Sequence, residues 1–163
     1  FGSSTMQHEV DELNNRSKAN HMNINTNKTK EMIIGNIKKE FPPSLRLNDN
    51  KIERVSVYKL LGLYVNDSLA WNDHVSSICT KSAQRLHILK LLKRAGLSSD
   101  DLLYYYKSVI RPVTEYACFV WHSSLTTDQS AQLETIQRRA VRLIFGKDNQ
   151  EIDNVIEIAH FPR

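Results

Sequence analysis

Apolar and polar positions along the chain change their period near residue 70. From 55 to 65 they alternate, which predicts a strand that runs through Gly62 and stops at Asn66-Asp67-Ser68. After Trp71 the spacing lengthens. Trp71, Val75, Ile78, Leu86, Leu89 and Leu92 recur at i, i+3 or i+4, the mark of an amphipathic helix, and Gly96 closes it as the residue after the cap. Ser98, followed by Ser99, Asp100 and Asp101, starts a second helix through Leu102, Tyr105, Val109 and Ile110. Pro112 is expected to kink or split it, with a continuation to about Trp121. A third helix over 129–145, capped by Thr126 or by Thr127-Asp128, ends before Gly146.

The front half is more broken. A helix over 6–22 sets Met6, Val10, Leu13 and Ser17 on one face and ends at Asn20-His21. A strand over 30–34 is closed by Gly35-Asn36, and Pro42-Pro43 breaks any helix begun at Ile37. Segments 44–47, 51–54 and 55–65 form a small antiparallel set with Asn48-Asp49-Asn50 as a turn. The last segment, 150–159, predicts a short acidic helix. The expected fold is α+β: a small antiparallel sheet or hairpin in residues 1–66, a mainly helical three-helix bundle in 67–147, and an acidic tail in 148–163.

Charge sharpens this division. Residues 1–70 carry 10 Lys and Arg against 8 Asp and Glu, residues 71–147 carry 11 against 6, and residues 148–163 carry 1 against 4. The positive excess sits in the helical middle, which suits a polyanionic partner. No apolar run approaches the ~20 residues needed to cross a bilayer, so a membrane partner is not expected. Cys79 and Cys118 are far apart and lack a C-x-x-C spacing, which makes them reduced core thiols of an intracellular protein rather than a disulfide or a zinc site. The chain opens on Phe1 with no basic or apolar leader, as a piece of something longer would.

Several residues could carry chemistry. Asn25-Thr26-Asn27-Lys28-Thr29 places a lysine after a polar turn. In Tyr58-Lys59-Leu60-Leu61-Gly62-Leu63, alternation puts Tyr58, Leu60 and Gly62 on one face and Lys59, Leu61 and Leu63 on the other; the glycine either marks a bulge in a core strand or lets another backbone approach. Taking about 100° per residue, Leu133, Ile136, Ala140, Leu143 and Ile144 share an arc that leaves Arg138, Arg139 and Arg142 outside it. Lys81, Arg85, Lys90, Lys93 and Arg94 are likewise off the apolar stripe of the first long helix. Asp100-Asp101, the one Asp-Asp pair, reads as helix capping. Consecutive Tyr104, Tyr105 and Tyr106 point in three directions on a helix, which favours core packing over base stacking.

Three of these motifs, with Leu69-Ala70-Trp71-Asn72-Asp73-His74, resemble reverse transcriptases of non-LTR (LINE-type, jockey-like) retrotransposons over residues 5–147. Asn25-x-x-Lys28-Thr29 is similar to an element whose lysine lies near the incoming nucleotide's phosphates, which implies Lys28 as a phosphate or leaving-group assistant. Leu61-Gly62 resembles the primer grip, which implies Tyr58, Lys59 and Gly62 as contacts to a sugar-phosphate chain. Leu69-x-Trp71-x-x-His74 resembles the palm–thumb junction, where Trp71 packs the helix and Asp67 or Ser68 caps it; His74 is expected to be structural. Gln137-Arg138-Arg139-Ala140-x-Arg142 resembles a thumb element, which with Lys81 and Arg85 implies a basic surface for nucleic acid.

The family's Tyr-x-Asp-Asp hairpin, which holds the metals of nucleotidyl transfer, has no counterpart here. The resemblance therefore implies a fragment of an RNA-directed DNA polymerase with no catalytic residues of its own. Its partners would be an RNA–DNA template–primer duplex and the rest of the palm, with Mg2+ needed only by a complete parent enzyme. The alternative is a degenerate or co-opted helical module that binds proteins.

Overall fold

A computed structural model of the chain describes residues 3–35 and 42–146. The stretch from Ile37 up to the Pro42-Pro43 break and the acidic helix expected over 150–159 lie outside the described residues. The fold is α+β, with short strand pairs before residue 70 and helices after it. The chain divides into two compact units, one up to Ala70 and one from Trp71 onward.

The first unit opens with α1 (Ser3–Ala19). Its predicted apolar face is used only in part, since Val10 and Ser17 are half-buried on the same side as Gln7 and Asn14. Met6 and Leu13 are more than half exposed, while Asn14 is buried and donates to Asn48 Oδ1 at 2.8 Å. Gln7 mimics a strand partner: its Nε2 donates to the Arg46 carbonyl and its Oε1 accepts the Arg46 N–H, both at 2.9 Å. Amide side chains, rather than the methionine and leucine stripe, thus tie α1 to strand β2.

Among the described residues the strands form three separate pairs rather than one antiparallel set. β1 (Lys30–Glu31) runs parallel to β4 (Glu53–Arg54), a long-range pairing that no local pattern announces. β2 (Arg46–Leu47) pairs antiparallel with β3 (Asn50–Lys51) across Asn48-Asp49, both at positive φ, as a tight hairpin turn demands. Glu31 anchors the unit. Its carboxylate accepts from Arg54 Nη2 at 2.8 Å and from the Leu45 N–H at 3.2 Å, while Arg54 also reaches the Pro42 carbonyl.

β5 (Val57–Leu60) and β6 (Leu63–Asn66) form the third pair. The predicted alternation through Gly62 fails here. Leu61 and Gly62 are the two central residues of the turn, at φ +47° and +92°, the signature of a type I′ hairpin. A two-residue loop preserves the count of alternating positions, which is why the turn passes for strand. Beyond it, buried Asn66 accepts from the Ser68 hydroxyl and the Ala70 N–H, closing the loop before the helices.

The second unit is organised by α2 (Asn72–Arg94) and α6 (Thr127–Phe145). Neither Asp67 nor Ser68 caps α2; Trp71 stands at its N-cap with no side-chain hydrogen bond. Its end follows expectation: Gly96, at φ +89°, donates to the Lys93 carbonyl and Leu97 to the Leu92 carbonyl, a Schellman closure. Ser98 caps α3 (Ser99–Tyr105) by accepting the Asp101 N–H and donating to its carboxylate. A π-helical turn over Tyr106–Ile110 then absorbs the disruption before Pro112, and α4 (Arg111–Glu115) continues. Ala117, in the left-handed region at φ +51°, separates α4 from α5 (Cys118–Trp121).

Thr126 and Gln129 form a reciprocal capping box at the start of α6. Gln129 Nε2 also donates to Asn72 Oδ1 at 2.6 Å, and Lys93 Nζ donates to the Leu143 and Ile144 carbonyls. Starts and ends of α2 and α6 therefore coincide, so the two helices run parallel. Between them and α3–α5 lies a core containing Val75, Leu89, Leu102, Ile110, Trp121 and Leu133.

Candidate nucleic-acid interface

In the first unit, the Asn25-x-x-Lys28-Thr29 element is a side-chain-closed turn. Asn25 Oδ1 accepts the Lys28 N–H at 3.1 Å and the Thr29 hydroxyl donates to the Asn25 carbonyl at 2.9 Å. This geometry explains why Asn and Thr occupy the element's ends and leaves Lys28 exposed. A polar hollow of 640 Å³ nearby is lined by Thr26, Asn27, Lys30, Asn50, Lys51 and Glu53, without Lys28. Lys30 is occupied there by an ion pair with Glu53.

The β5–β6 hairpin shows all four β5 residues to solvent, among them Tyr58 and Lys59. Lys59 stands opposite Tyr64 in the register, and its ammonium lies 5.5 Å from that ring's centroid. A cation held over an aromatic face is partly pre-oriented yet still open to an anion. Gly62 serves the turn, where its positive φ is needed, and Leu61 beside it is 84% exposed. Tyr58, Lys59 and Gly62 therefore share one short, solvent-facing hairpin.

In the second unit the predicted basic residues separate. Arg139 and Arg142 line a groove between α2 and α6 with Ala83, Leu86, His87, Lys90 and Leu143; its volume is 540 Å³. Arg138, one 100° step from Arg139, lies off the groove and is paired with Glu134 at 3.2 Å. Arg85 is half-buried and donates to the Val109 carbonyl at 2.6 Å, within the π-helical turn, so it supports the fold directly. Lys81 is exposed and acts on His74 rather than on the groove.

His87 and Lys90 complete a cluster that the sequence reading did not assemble. The signal was present on α2, since 83, 87 and 90 follow i, i+4, i+7, but only packing against α6 brings them beside Arg139 and Arg142. Four basic or titratable side chains over an apolar floor can engage phosphates by charge and by bidentate hydrogen bonds.

The remaining candidates fall into structural roles. His74 is buried between Trp71 and Trp121, with ring centroids 5.9 and 5.3 Å away in edge-on geometry. Burial, assisted by Lys81, lowers its pKa. Asp101 serves the α3 cap. Tyr106 is buried and burial raises its phenol pKa, whereas Tyr104 is exposed. Cys79 and Cys118 are free thiols, and burial pushes the Cys79 pKa up, away from reactivity.

Among the described residues no three His, Cys, Asp or Glu side chains gather where they could hold a metal ion. No described helix is long and apolar enough to cross a membrane.

No protein-family model matches the chain, and no solved structure matches it significantly. One curated protein does: the probable RNA-directed DNA polymerase from transposon X-element of Drosophila melanogaster, 27% identical over 129 residues. The match covers 77% of this chain, which spans only 14% of that relative's length. The chain is thus similar, at this distance, to part of a transposon-encoded reverse transcriptase.

Proposed function

We propose that the chain is a fragment of a LINE-type, jockey-like reverse transcriptase that grips an RNA–DNA template–primer duplex and contributes none of the catalytic carboxylates. Residues 1–66 would be the end of the palm with a primer-grip-like hairpin, and residues 67–147 a thumb-like bundle. Similarity to a transposon RNA-directed DNA polymerase supports the parentage. The observation that carries the grip is the alignment of Arg139 and Arg142 with His87 and Lys90 along one groove. Arginines one turn apart can meet successive phosphates, and such contacts bring affinity without base preference.

On the hairpin, Lys59 and the open β5 strand would meet the primer's sugar-phosphate chain, with Gly62 allowing close approach. Lys28 would lie toward the nucleotide phosphates only in a complete enzyme, which would also bring the Mg2+ ligands. The rest of the palm is then the fragment's protein partner.

Binding of the 163-residue chain to an RNA–DNA hybrid, titrated with salt, tests this reading. The expected result is affinity that falls as salt rises, and an Arg139→Glu/Arg142→Glu variant that loses roughly tenfold or more with its helical circular dichroism intact. Arg138→Gln, off the groove, should lose less. No binding at low salt, or binding indifferent to salt, overturns the grip. It would favour a protein-interaction module, a reading for which Phe119, 88% exposed beside Val120 and Tyr116, supplies a surface.

A further inference from the structure

A groove that only followed a phosphate chain would need no apolar floor. The one between α2 and α6 has both: buried Leu86 and half-buried Leu143 line it together with exposed His87, Lys90, Arg139 and Arg142. Its occupant should therefore be acidic and apolar at once. We propose that this occupant is the chain's own segment 148–163, which docks in cis and competes there with nucleic-acid phosphate.

Composition matches on both counts. The segment carries Asp148, Glu151, Asp153 and Glu157 against Arg163, opposite in sign to the groove rim. Interleaved with these acids, Ile152, Val155, Ile156 and Ala159 follow the i, i+3, i+4, i+7 spacing of one helical face, the pattern by which amphipathic segments fill apolar grooves. The tether favours it as well. Arg142 and Leu143 lie in the last turn of α6, which ends at Phe145, and Gly146 leaves the helix at φ +91°. A segment starting so close reaches the groove at an effective concentration in the millimolar range, so modest contacts suffice to fill it.

The docking stands on the groove and the segment alone, while the competition rests on the duplex-binding reading. Two variants of the full chain separate charge from apolar contact: Asp148→Asn/Glu151→Gln/Asp153→Asn/Glu157→Gln, and Ile152→Ser/Ile156→Ser, which keeps every acid. In NMR spectra both should shift resonances of Leu86, His87, Lys90 and Leu143 relative to the parent chain, independently of protein concentration. Both should also raise affinity for the hybrid at low salt by about three- to tenfold.

Groove resonances that stay unchanged in the serine variant overturn the docking, as do shifts that grow with protein concentration, since these report contact between copies. A rise in affinity for the charge variant alone overturns it too, leaving only long-range repulsion. Hybrid binding absent from every variant, with the groove shifts present, overturns the duplex reading and the competition but leaves the docking in place.

Discussion

Up to Ala70 the described residues bury three apolar side chains, Leu47, Ile52 and Leu63; from Trp71 onward they bury fifteen, among them Trp121, Leu89 and Leu102. The first unit is held instead by directional polar contacts: Gln7 on the Arg46 backbone, Asn14 on Asn48, and Glu31 on Arg54 and Leu45. The two units thus use different physics. Apolar burial scales with area and tolerates small movements, whereas a hydrogen-bond clamp adds only about 1 kcal/mol net and is costly to leave half-made. Amide exchange should display the contrast as strong protection over 71–145 and weak protection before 55.

The largest expected effect lies in the helical core. Trp121 is fully buried and donates its indole N–H to the Tyr116 carbonyl at 3.0 Å. Trp121→Ala should cost about 3–5 kcal/mol, read as a lower denaturant midpoint of helical circular dichroism. A loss below 1 kcal/mol would show that the second unit is not core-dominated.

Glu31→Gln is the matching probe of the first unit. The Glu31 side chain is 9% exposed and that of Arg54 26%, so the pair is partly screened, and its loss should cost roughly 2 kcal/mol. Amides of β1 and β4 should exchange faster, with those of α2 and α6 unchanged. Equal acceleration in both helices would contradict the division into separately stabilised units.

How much of this was visible in the chain follows the same division. α2, its Gly96 closure and the Ser98 cap were legible because a few neighbouring residues determine each of them, whereas the start of α6 was legible only as a choice between Thr126 and Thr127-Asp128. The face of α1 was read only in part: Val10 and Ser17 lie on the used side, but Gln7 and Asn14 do the docking, and periodicity weighs apolar residues only. The parallel pairing of Lys30 with Glu53 spans 23 positions and has no local signature. At the groove, α6 periodicity placed Arg139 and Arg142 outside the core, but their separation from Arg138 and their meeting with His87 and Lys90 depend on where α2 packs.

A gentler test of the second unit uses pH. His74 lies between Trp71 and Trp121, the chain's two tryptophans, so fluorescence reports this site and none in the first unit. Burial and Lys81 depress its folded pKa, so below the ordinary histidine value of about 6.5 the unfolded chain binds the extra proton. The neutral imidazole's contribution is complete above that pH and is lost as pH falls toward the folded pKa. Unfolding followed by fluorescence should therefore show a midpoint that drops below about pH 6.5, and His74→Gln should flatten that slope.

The smallest expected change has the opposite sign. Leu61 occupies the first central position of a type I′ turn at φ +47°, where an ordinary side chain carries about 1 kcal/mol of strain, and at 84% exposure it gains little burial in return. Leu61→Asn places there a residue that accepts the left-handed region. It should slow amide exchange across β5 and β6 by a factor corresponding to about 0.5–1 kcal/mol, while exchange in α2 and α6 stays as it was. A hairpin that gains nothing would mean that Leu61 already makes up its strain through contacts within the first unit. That unit would then hold more apolar stabilisation than Leu47, Ile52 and Leu63 provide, and the contrast between the two halves would narrow.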